Sequence, residues 1–315
     1  MKNGMNVIYM GTPAFAVPSL DALAAYHNVL AVCTQPDRPA GRGHKLAQSP
    51  VKTRALELGL PVLQPHTLRL DESKEFRAVL KSYGADIFVV AAYGMLLPKG
   101  VLVMPKVGCI NVHASLLPKY RGASPIHAAL LNGETKTGIT IMHMAAGIDT
   151  GDMIVQRELD ILPDERFTSL HDRMATLGAD ALLDALVLLQ SGNAPRVVQD
   201  DALSSYAPMI NKKDAQIDWS HNTEQVINMM RAFDPWPGAY TVYDGKPLKV
   251  WSAVAGEASA ADPGTILAVD MSRGILVKTG DAAVWITELQ GDGSKRMPAT
   301  DYMRGREVRA GVRLV

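Results

Sequence analysis

The first 190 residues alternate short apolar runs with stretches in which apolar positions recur at helical spacing. The apolar runs predict strands at residues 6–10, 29–33, 61–63, 86–92, 108–113 and 138–144. Helical spacing predicts helices between them, as at residues 14–26 and 73–82. Strands that alternate with helices are typical of a parallel sheet covered on both faces. The pattern therefore predicts a Rossmann-like α/β domain over residues 1–190.

The rest of the chain has a different pattern. Residues 191–208 are rich in Pro, Asp and Ser and predict a linker. A helix at 223–233 is followed by short predicted strands at residues 239–243, 248–253, 264–269, 274–279 and 283–289. Asp244-Gly245 is a hairpin turn signal. Residues 209–315 are therefore expected to form a small β-barrel of the oligonucleotide-binding (OB-like) type, whose face can track nucleic acid.

Composition narrows the class of protein. The 315 residues are 47% hydrophobic and 20% charged, which excludes a disordered or fibrous chain. The 32 basic and 32 acidic residues cancel, so contact with a polyanion must come from local basic patches. Cys33 and Cys109 lie in apolar runs and are expected to be reduced core residues. With no signal segment or membrane span evident, we expect a cytoplasmic monomer without a membrane partner.

The stretch with the clearest chemistry begins in the predicted strand at 108–113. Asn111 and His113 lie two positions apart, so their side chains project from one face. The turn after the next strand supplies a third polar residue, Asp149. Ligand sites of parallel sheets lie at the carboxyl ends of the strands, so we expect the three to converge at one rim.

These residue types suit a particular kind of catalysis. An amide donor beside an imidazole, with a carboxylate to orient the ring, can stabilise an oxyanion while a proton moves. No Ser or Cys stands in the elbow context of a nucleophile, and no histidine lies in a metal-binding arrangement, so we expect no metal. The pattern favours acyl transfer without a covalent intermediate. Satisfied polar residues at a strand end remain the alternative.

The same stretch resembles a known family. The run 111–118, the Arg121-Gly122 pair and the turn Asp149-Thr150-Gly151 are similar to the signature of formyltransferases that use 10-formyltetrahydrofolate. Four further segments are similar to the methionyl-tRNA branch of that family, at residues 10–20, 35–43, 231–238 and 295–299. The resemblance thus extends over nearly the whole chain.

The resemblance implies roles for individual residues. Asn111 and protonated His113 would stabilise the tetrahedral oxyanion, and Asp149 would hold the imidazolium and accept the migrating proton. The co-substrate 10-formyltetrahydrofolate would bind at Ser115, Leu116, Leu117, Pro118, Gly94, Met95 and Leu96. The acceptor would be the methionine carried by initiator tRNA.

A basic loop follows the second predicted strand. Residues 35–54 carry five cations, Arg38, Arg42, Lys45, Lys52 and Arg54, against one acid, Asp37. From composition a solvated loop is one interpretation. By resemblance the loop binds the acceptor stem of initiator tRNA through Arg38, Arg42 and Lys45. The basic final stretch, residues 295–313, is open to the same two interpretations.

Three other functions are alternatives to formylation of the methionine on initiator tRNA. A formyltransferase acting on a small amine, such as glycinamide ribonucleotide or an amino sugar, would need neither the long second domain nor the basic loop. A non-catalytic tRNA-binding module would be free to lose one member of the Asn111, His113 and Asp149 set. A nicotinamide oxidoreductase is disfavoured because only Gly11 of the G-x-G-x-x-G fingerprint is in place.

Overall fold

The computed structural model describes residues 4–40, 45–69, 73–257 and 260–315. Contacts divide the chain into two compact units. Unit 1 comprises Met1–Gly122, Thr137–Asp160 and His171–Ala207, and unit 2 comprises Ala123–Lys136, Ile161–Leu170 and Pro208–Val315. The predicted linker at 191–208 differs from this division, because residues as far as Ala207 pack within unit 1.

The elements of the first 207 residues are as follows. The strands are β1 (Asn6–Gly11), β2 (Asn28–Cys33), β3 (Arg38–Ala40), β4 (Lys45–Ala47), β5 (Val62–Leu63), β6 (Ile87–Ala91), β7 (Gly108–His113), β8 (Arg121–Gly122), β9 (Lys136–His143), β10 (Met153–Asp160) and β11 (Tyr206–Ala207). The α-helices are α1 (Val17–Tyr26), α2 (Pro50–Glu57), α3 (Lys74–Ser82), α4 (Lys99–Leu102), α5 (Pro125–Leu131) and α6 (Phe167–Gln190).

The main sheet has the strand order β10-β9-β7-β6-β1-β2-β5. Strands β5, β2, β1, β6 and β7 are parallel, which confirms the Rossmann-like prediction for the centre of the sheet. The parallel order predicted for this domain does not extend to the edge, where β9 runs antiparallel to β7. The direction reverses because the chain leaves the rim at His113 and re-enters the sheet from that same rim.

Local sequence accounts for much of this unit. All five residues of β6 are buried, as expected for a strand covered on both faces. Ser49 caps α2 by accepting the backbone N–H of Lys52 over 3.0 Å, and Pro50 occupies the first turn. Cys33 and Cys109 are free and buried, as predicted, and burial raises the pKa of each thiol to about 12.

The basic loop contains regular structure that was not predicted. Strands β3 and β4 pair as a short antiparallel hairpin, with Arg38 opposite Ala47. Its base is held by Gln64, which donates to the backbone oxygen of Gln35 and to the Asp37 carboxylate, over 2.9 and 2.8 Å. The hairpin strands have three residues each, too short for a period-2 pattern to show in the sequence.

Unit 2 is built around an antiparallel sheet. Its elements are α7 (Thr223–Ala232), β12 (Tyr240–Tyr243), β13 (Lys246–Gly256), β14 (Ile266–Asp270), β15 (Gly274–Lys278), β16 (Ala283–Gly291), β17 (Met297–Pro298) and α8 (Ala299–Gly305). The strand order is β12-β13-β16-β15-β14, with β17 paired to β16. Asp244 and Gly245 both have positive φ, at 50° and 71°, which confirms the predicted hairpin turn between β12 and β13.

The ends of this sheet are joined by residues 312–315. The carbonyl of Val315 accepts the N–H of Val242, a residue of β12, over 2.6 Å. On the other side, the carbonyl of Val312 accepts the N–H of Ile266 over 2.8 Å, and the N–H of Leu314 donates to Gly264 over 2.9 Å. These bonds close the sheet into the predicted small barrel. Leu314 is buried in its core, so this part of the chain is not a solvated tail.

The helices were compared with the length and hydropathy that a bilayer span requires. Among the residues that the structure describes, no helix is long and apolar enough to cross a membrane.

Candidate active site

Three polar side chains meet at the carboxyl end of β7. Asn111 and His113 lie two positions apart on that strand. The Nδ2 atom of Asn111 lies 3.4 Å from Oδ1 of Asp149, and the Nδ1 atom of His113 lies 3.5 Å from Oδ2. The structure thus brings together the three residues that the sequence indicated, in contact with one another at the sheet rim.

Asp149 occupies a constrained turn. Its φ of 53° is left-handed, a region that costs energy for a residue with a side chain. The carboxylate is fixed by the backbone N–H of Gly122, which donates to Oδ2 over 2.8 Å. Oδ2 therefore faces both a backbone donor and the imidazole, whereas Oδ1 faces the Asn111 amide. The turn aims a carboxylate at the two residues of β7.

The imidazole of His113 is nearly buried, at 5% exposed, and both of its nitrogens face acceptors. Its Nε2 lies 2.9 Å from the backbone oxygen of Tyr120. A carbonyl oxygen only accepts, so we assign the proton to Nε2. Nδ1 is then the nitrogen that faces the Asp149 carboxylate.

The contacts of Asn111 and His113 with Asp149, at 3.4 and 3.5 Å, are long for hydrogen bonds. Catalytic contacts are often loose before substrate binds and tighten in the reacting complex. The Asn111 amide can therefore turn toward a developing oxyanion without losing a strong bond. A site of this kind suits addition to a carbonyl followed by proton transfer.

Further residues support the three, and no local pattern along the chain points to them. Gln199 donates from Nε2 to the backbone oxygens of Asp149 and Gly151, over 2.8 Å each. Ser205 accepts the N–H of Tyr120 over 2.9 Å. Both lie in the segment that composition predicts to be a linker. Their partners are 50 and 85 residues away, beyond the reach of any periodic pattern.

The run from Ser115 to Pro118 was predicted to contact the co-substrate. Ser115 and Leu117 are buried, and they bond to β9: Thr140 donates to the Ser115 backbone oxygen over 2.7 Å and accepts the Leu117 N–H over 3.1 Å. Their side chains therefore face the protein. Leu116 and Pro118 are partly exposed, so contact with a ligand would fall to them and to the backbone.

The second predicted co-substrate segment, Gly94 to Leu96, leaves the rim beside the polar trio. In the sheet Val90 of β6 pairs with Asn111, so the chain after β6 emerges next to that residue. Leu96 is 81% exposed, an unusual position for a large apolar side chain. The backbone oxygen of Gly94 accepts a hydrogen bond from Gln35 over 2.9 Å. This segment therefore exposes a large apolar side chain to solvent.

The predicted tRNA-binding residues are only partly within the described chain. Arg38 is exposed at the start of β3. Lys45 lies in β4, but its side chain is outside the described residues, as is all of Arg42. The other two cations of the loop are already paired: Lys52 with Asp37 over 2.6 Å, and Arg54 with acids on α1 and α2. The cations left for a partner are therefore fewer than composition suggests.

In the described part of the chain no cluster of three or more His, Cys, Asp or Glu residues is arranged to bind a metal ion.

Comparison with known proteins identifies the family. The formyl transferase family matches residues 5–186, and the formyl transferase C-terminal domain matches residues 209–307. The methionyl-tRNA formyltransferase of Geobacter metallireducens is 49% identical over 312 residues, covering 99% of each chain. That of Ruminiclostridium cellulolyticum is also 49% identical, over 98% of this chain and 99% of its own.

Solved structures share the fold at lower identity. HypX from Aquifex aeolicus in complex with tetrahydrofolic acid matches 98% of this chain with a TM-score of 0.61 at 18% identity, and this chain spans 51% of HypX. The N-formyltransferase from Helicobacter canadensis, in complex with folinic acid and dTDP-3-aminofucose, matches 89% of this chain and 97% of its own, with a TM-score of 0.64 at 17% identity. From these matches, the chain belongs to the methionyl-tRNA formyltransferase family.

Proposed function

We propose that this enzyme transfers the formyl group of 10-formyltetrahydrofolate to the α-amino group of methionine esterified to initiator tRNA. The observation that carries the proposal is the contact of Asn111, His113 and Asp149 at the carboxyl end of β7. It is supported by the methionyl-tRNA formyltransferase of Geobacter metallireducens, which is 49% identical over 99% of the chain.

The reaction needs little activation of the nucleophile. An α-amino group has a pKa of about 7.7 to 8.0, so a substantial fraction is neutral near pH 7. Its nitrogen attacks the formyl carbon, a new C–N bond forms, and the carbonyl oxygen becomes an oxyanion. Asn111 Nδ2 and the protonated His113 Nδ1 are the donors proposed for that oxyanion, and stabilisation of this kind is often the largest single contribution to catalysis.

Collapse of the intermediate requires a proton to change position. The attacking nitrogen loses a proton, the bond from the formyl carbon to the folate nitrogen breaks, and that nitrogen gains a proton. Asp149 is the proposed carrier, because its carboxylate lies beside both donors and can hold the imidazolium while the proton moves. Net charge in the pocket is thereby conserved through the step.

The co-substrate is proposed to bind along the rim beside the trio. The chain from Gly94 to Leu96 would offer backbone groups and the exposed Leu96 side chain to the flat pterin ring. The run from Ser115 to Pro118 would offer backbone groups, with Ser115 and Leu117 fixing its shape from within. The proposal is 10-formyltetrahydrofolate as co-substrate, with no metal.

The tRNA is proposed to contact the hairpin β3 to β4 and the barrel of unit 2. Arg38, Arg42 and Lys45 are the candidate contacts on the hairpin. Arg42→Ala is expected to raise the KM for tRNA and to lower the salt dependence of binding by about one counterion. Arg54→Ala is the matched control, because Arg54 is already paired with Asp21 and Glu57.

A small-amine acceptor is the second candidate for the same chemistry. The amino-sugar enzyme from Helicobacter canadensis is only 17% identical, against 49% for the methionyl-tRNA enzymes. The family of the C-terminal domain is also matched across residues 209–307. Both observations favour the charged tRNA.

A formylation assay tests the proposal. Methionyl initiator tRNA, methionyl elongator tRNA and free methionine are each supplied with 10-formyltetrahydrofolate, and formylmethionine is measured. We expect rapid formylation of the first alone. Formylation of free methionine at a comparable rate would contradict the assigned acceptor, and no formylation of any of the three would move the acceptor to another amine.

We further propose that the enzyme acts as a monomer in the cytoplasm. The two buried free thiols fit a reducing compartment. Sedimentation velocity of the purified enzyme tests the monomer.

A further inference from the structure

The segment from Gln199 to Ala207, here called the strap, carries a carboxamide at the back of the Asp149 turn. Gln199 is 7% exposed. Its Nε2 group donates one hydrogen bond to the backbone oxygen of Asp149 and another to that of Gly151, each over 2.8 Å. A primary amide has two N–H donors, so both are used on this one turn.

The turn needs such support. Asp149 adopts a left-handed φ of 53°, which a non-glycine residue keeps only when its surroundings impose it. At 3.4 and 3.5 Å the contacts of its carboxylate with Asn111 and His113 are near the limit of a hydrogen bond. A small rotation of the turn would therefore break them.

The orientation of the Gln199 amide is itself fixed. Its Oε1 atom accepts from Nε of Arg121 over 3.0 Å, and Arg121 Nη2 donates to Asp201 over 2.7 Å. A flipped amide would turn its N–H groups toward the guanidinium, which only donates. The donor end of Gln199 must therefore face the turn.

Two more contacts of the strap reach the same site. Ser205 accepts the N–H of Tyr120 over 2.9 Å, and the carbonyl of Tyr120 is the acceptor for His113 Nε2. Ala207 of β11 pairs with Gly122 of β8, and the Gly122 N–H donates to the Asp149 carboxylate. The strap thus supports Asp149 through Gln199 and through the pairing of Ala207 with Gly122, and it supports the imidazole of His113 through Ser205.

We propose that the strap is a positioning element of the active site and that Gln199 is a positioning residue, which sets the carboxylate of Asp149 against Asn111 and His113. This inference rests on the proposed function of those three residues. Gln199 acts through Asp149 and is not expected to touch either substrate.

The first test replaces the donors while keeping the shape of the side chain. Gln199→Met removes both donors. Gln199→Glu keeps the size and the oxygen that faces Arg121, but turns an oxygen without a proton toward two carbonyls. We expect kcat to fall about tenfold to a hundredfold in both variants, the size of effect that a misplacement near 1 Å produces, with KM for each substrate within about twofold.

A matched control lies one residue before the strap. Val198 is 77% exposed, and Val198→Ala is expected to keep the wild-type kcat. A wild-type kcat for Gln199→Glu would mean that only the shape of the side chain matters, and it would overturn the proposal. Thermal unfolding of each variant shows whether it is folded. If the Gln199→Met variant does not fold, the kcat of the Gln199→Glu variant alone tests the proposal.

A double-mutant cycle then separates positioning from general support. If Gln199 acts through the carboxylate of Asp149, the Gln199→Glu change should cost less than about twofold once Asp149 is replaced by Ala. A loss as large as in the wild-type background would overturn the proposal. Failure of the wild-type enzyme to formylate methionyl-tRNA would count against the proposed function, whereas an active wild type with insensitive Gln199 variants would count against the strap alone.

Discussion

Arg296 donates from one guanidinium nitrogen to both carboxylate oxygens of Asp234, over 3.0 Å to each. Arg166 also donates to Oδ2 of Asp234, over 2.5 Å. The Asp234 side chain is only 11% exposed, so two cations of unit 2 share one nearly buried acceptor. This contact joins two of the segments that resemble the family, residues 231–238 and 295–299.

Asp234→Ala is expected to lower the free energy of unfolding by about 2 kcal/mol, because it removes charged hydrogen bonds from two arginines. The figure is modest because both arginines are about one-third exposed and water replaces part of the loss. Urea unfolding measures the change. Asp301→Ala, which breaks an exposed ion pair with Arg304, is the control and should cost under about 0.5 kcal/mol.

Asn111→Ala should lower kcat by roughly a hundredfold to a thousandfold, since one oxyanion donor is typically worth that much. A single-turnover formylation assay with saturating substrates measures the rate of the chemical step. Asn132→Ala provides the same substitution at the end of α5, where the amide donates only to the backbone oxygen of Ala128. Near-wild-type turnover by Asn111→Ala would remove that residue from the proposed mechanism.

Gly151→Ala should abolish most activity while leaving unit 2 folded. A Cβ at this position would overlap the carbonyl oxygen of His143, so the turn that carries Asp149 would have to move. Activity and urea unfolding are measured together. Gly305→Ala is the contrasting change, because nothing lies near its added methyl group. It should keep activity and raise stability by under about 1 kcal/mol. Full activity of Gly151→Ala would show that the turn tolerates displacement.

Stability should fall as the pH drops below about 6.5 because of His143, which ends β9. Burial and then the nearby Arg196 lower its pKa, against a smaller opposing effect of Asp152. The unfolded chain therefore takes up a proton at a higher pH than the folded chain, so acid favours unfolding until the folded histidine also titrates. Urea unfolding between pH 7 and 5 measures the free energy of unfolding, which should decline less steeply with falling pH in His143→Gln than in the wild type. Equal slopes for the two proteins would exclude His143 as the source of the pH dependence.

The part of the site that the sequence predicted depends on local patterns. Asn111 and His113 share a face because strand side chains alternate, and their strand was evident from its apolar run. Asp149 was placed by the order of strands at one rim. The hairpin at Asp244-Gly245 and the cap at Ser49 follow from backbone preferences of those residues. Apart from the placement of Asp149, each of these inferences uses neighbours within a few positions along the chain.

The missed features depend on tertiary contacts. Gln199 lies 50 residues from the turn that it supports, in a segment without hydrophobic period. The antiparallel direction of β9 follows from the route of the chain between His113 and Lys136, which no local pattern encodes. Residues 123–136 pack in unit 2, where α5 contacts α7 and His127 stacks on Phe167 with ring centroids 4.1 Å apart. The pairing partners were beyond prediction, as were very short elements such as β3 and β4.

Barrel closure by residues 312–315 has a consequence for synthesis on the ribosome. These residues follow every strand of the barrel in chain order, so they leave the exit tunnel after all of those strands. Until then the edges at Val242 and at Gly264 and Ile266 have no partner. Open strand edges associate readily with other chains. We therefore expect the nascent unit 2 to be most prone to aggregation after its strands have emerged and before residues 312–315 pair with them, whereas the main sheet of unit 1 is complete much earlier.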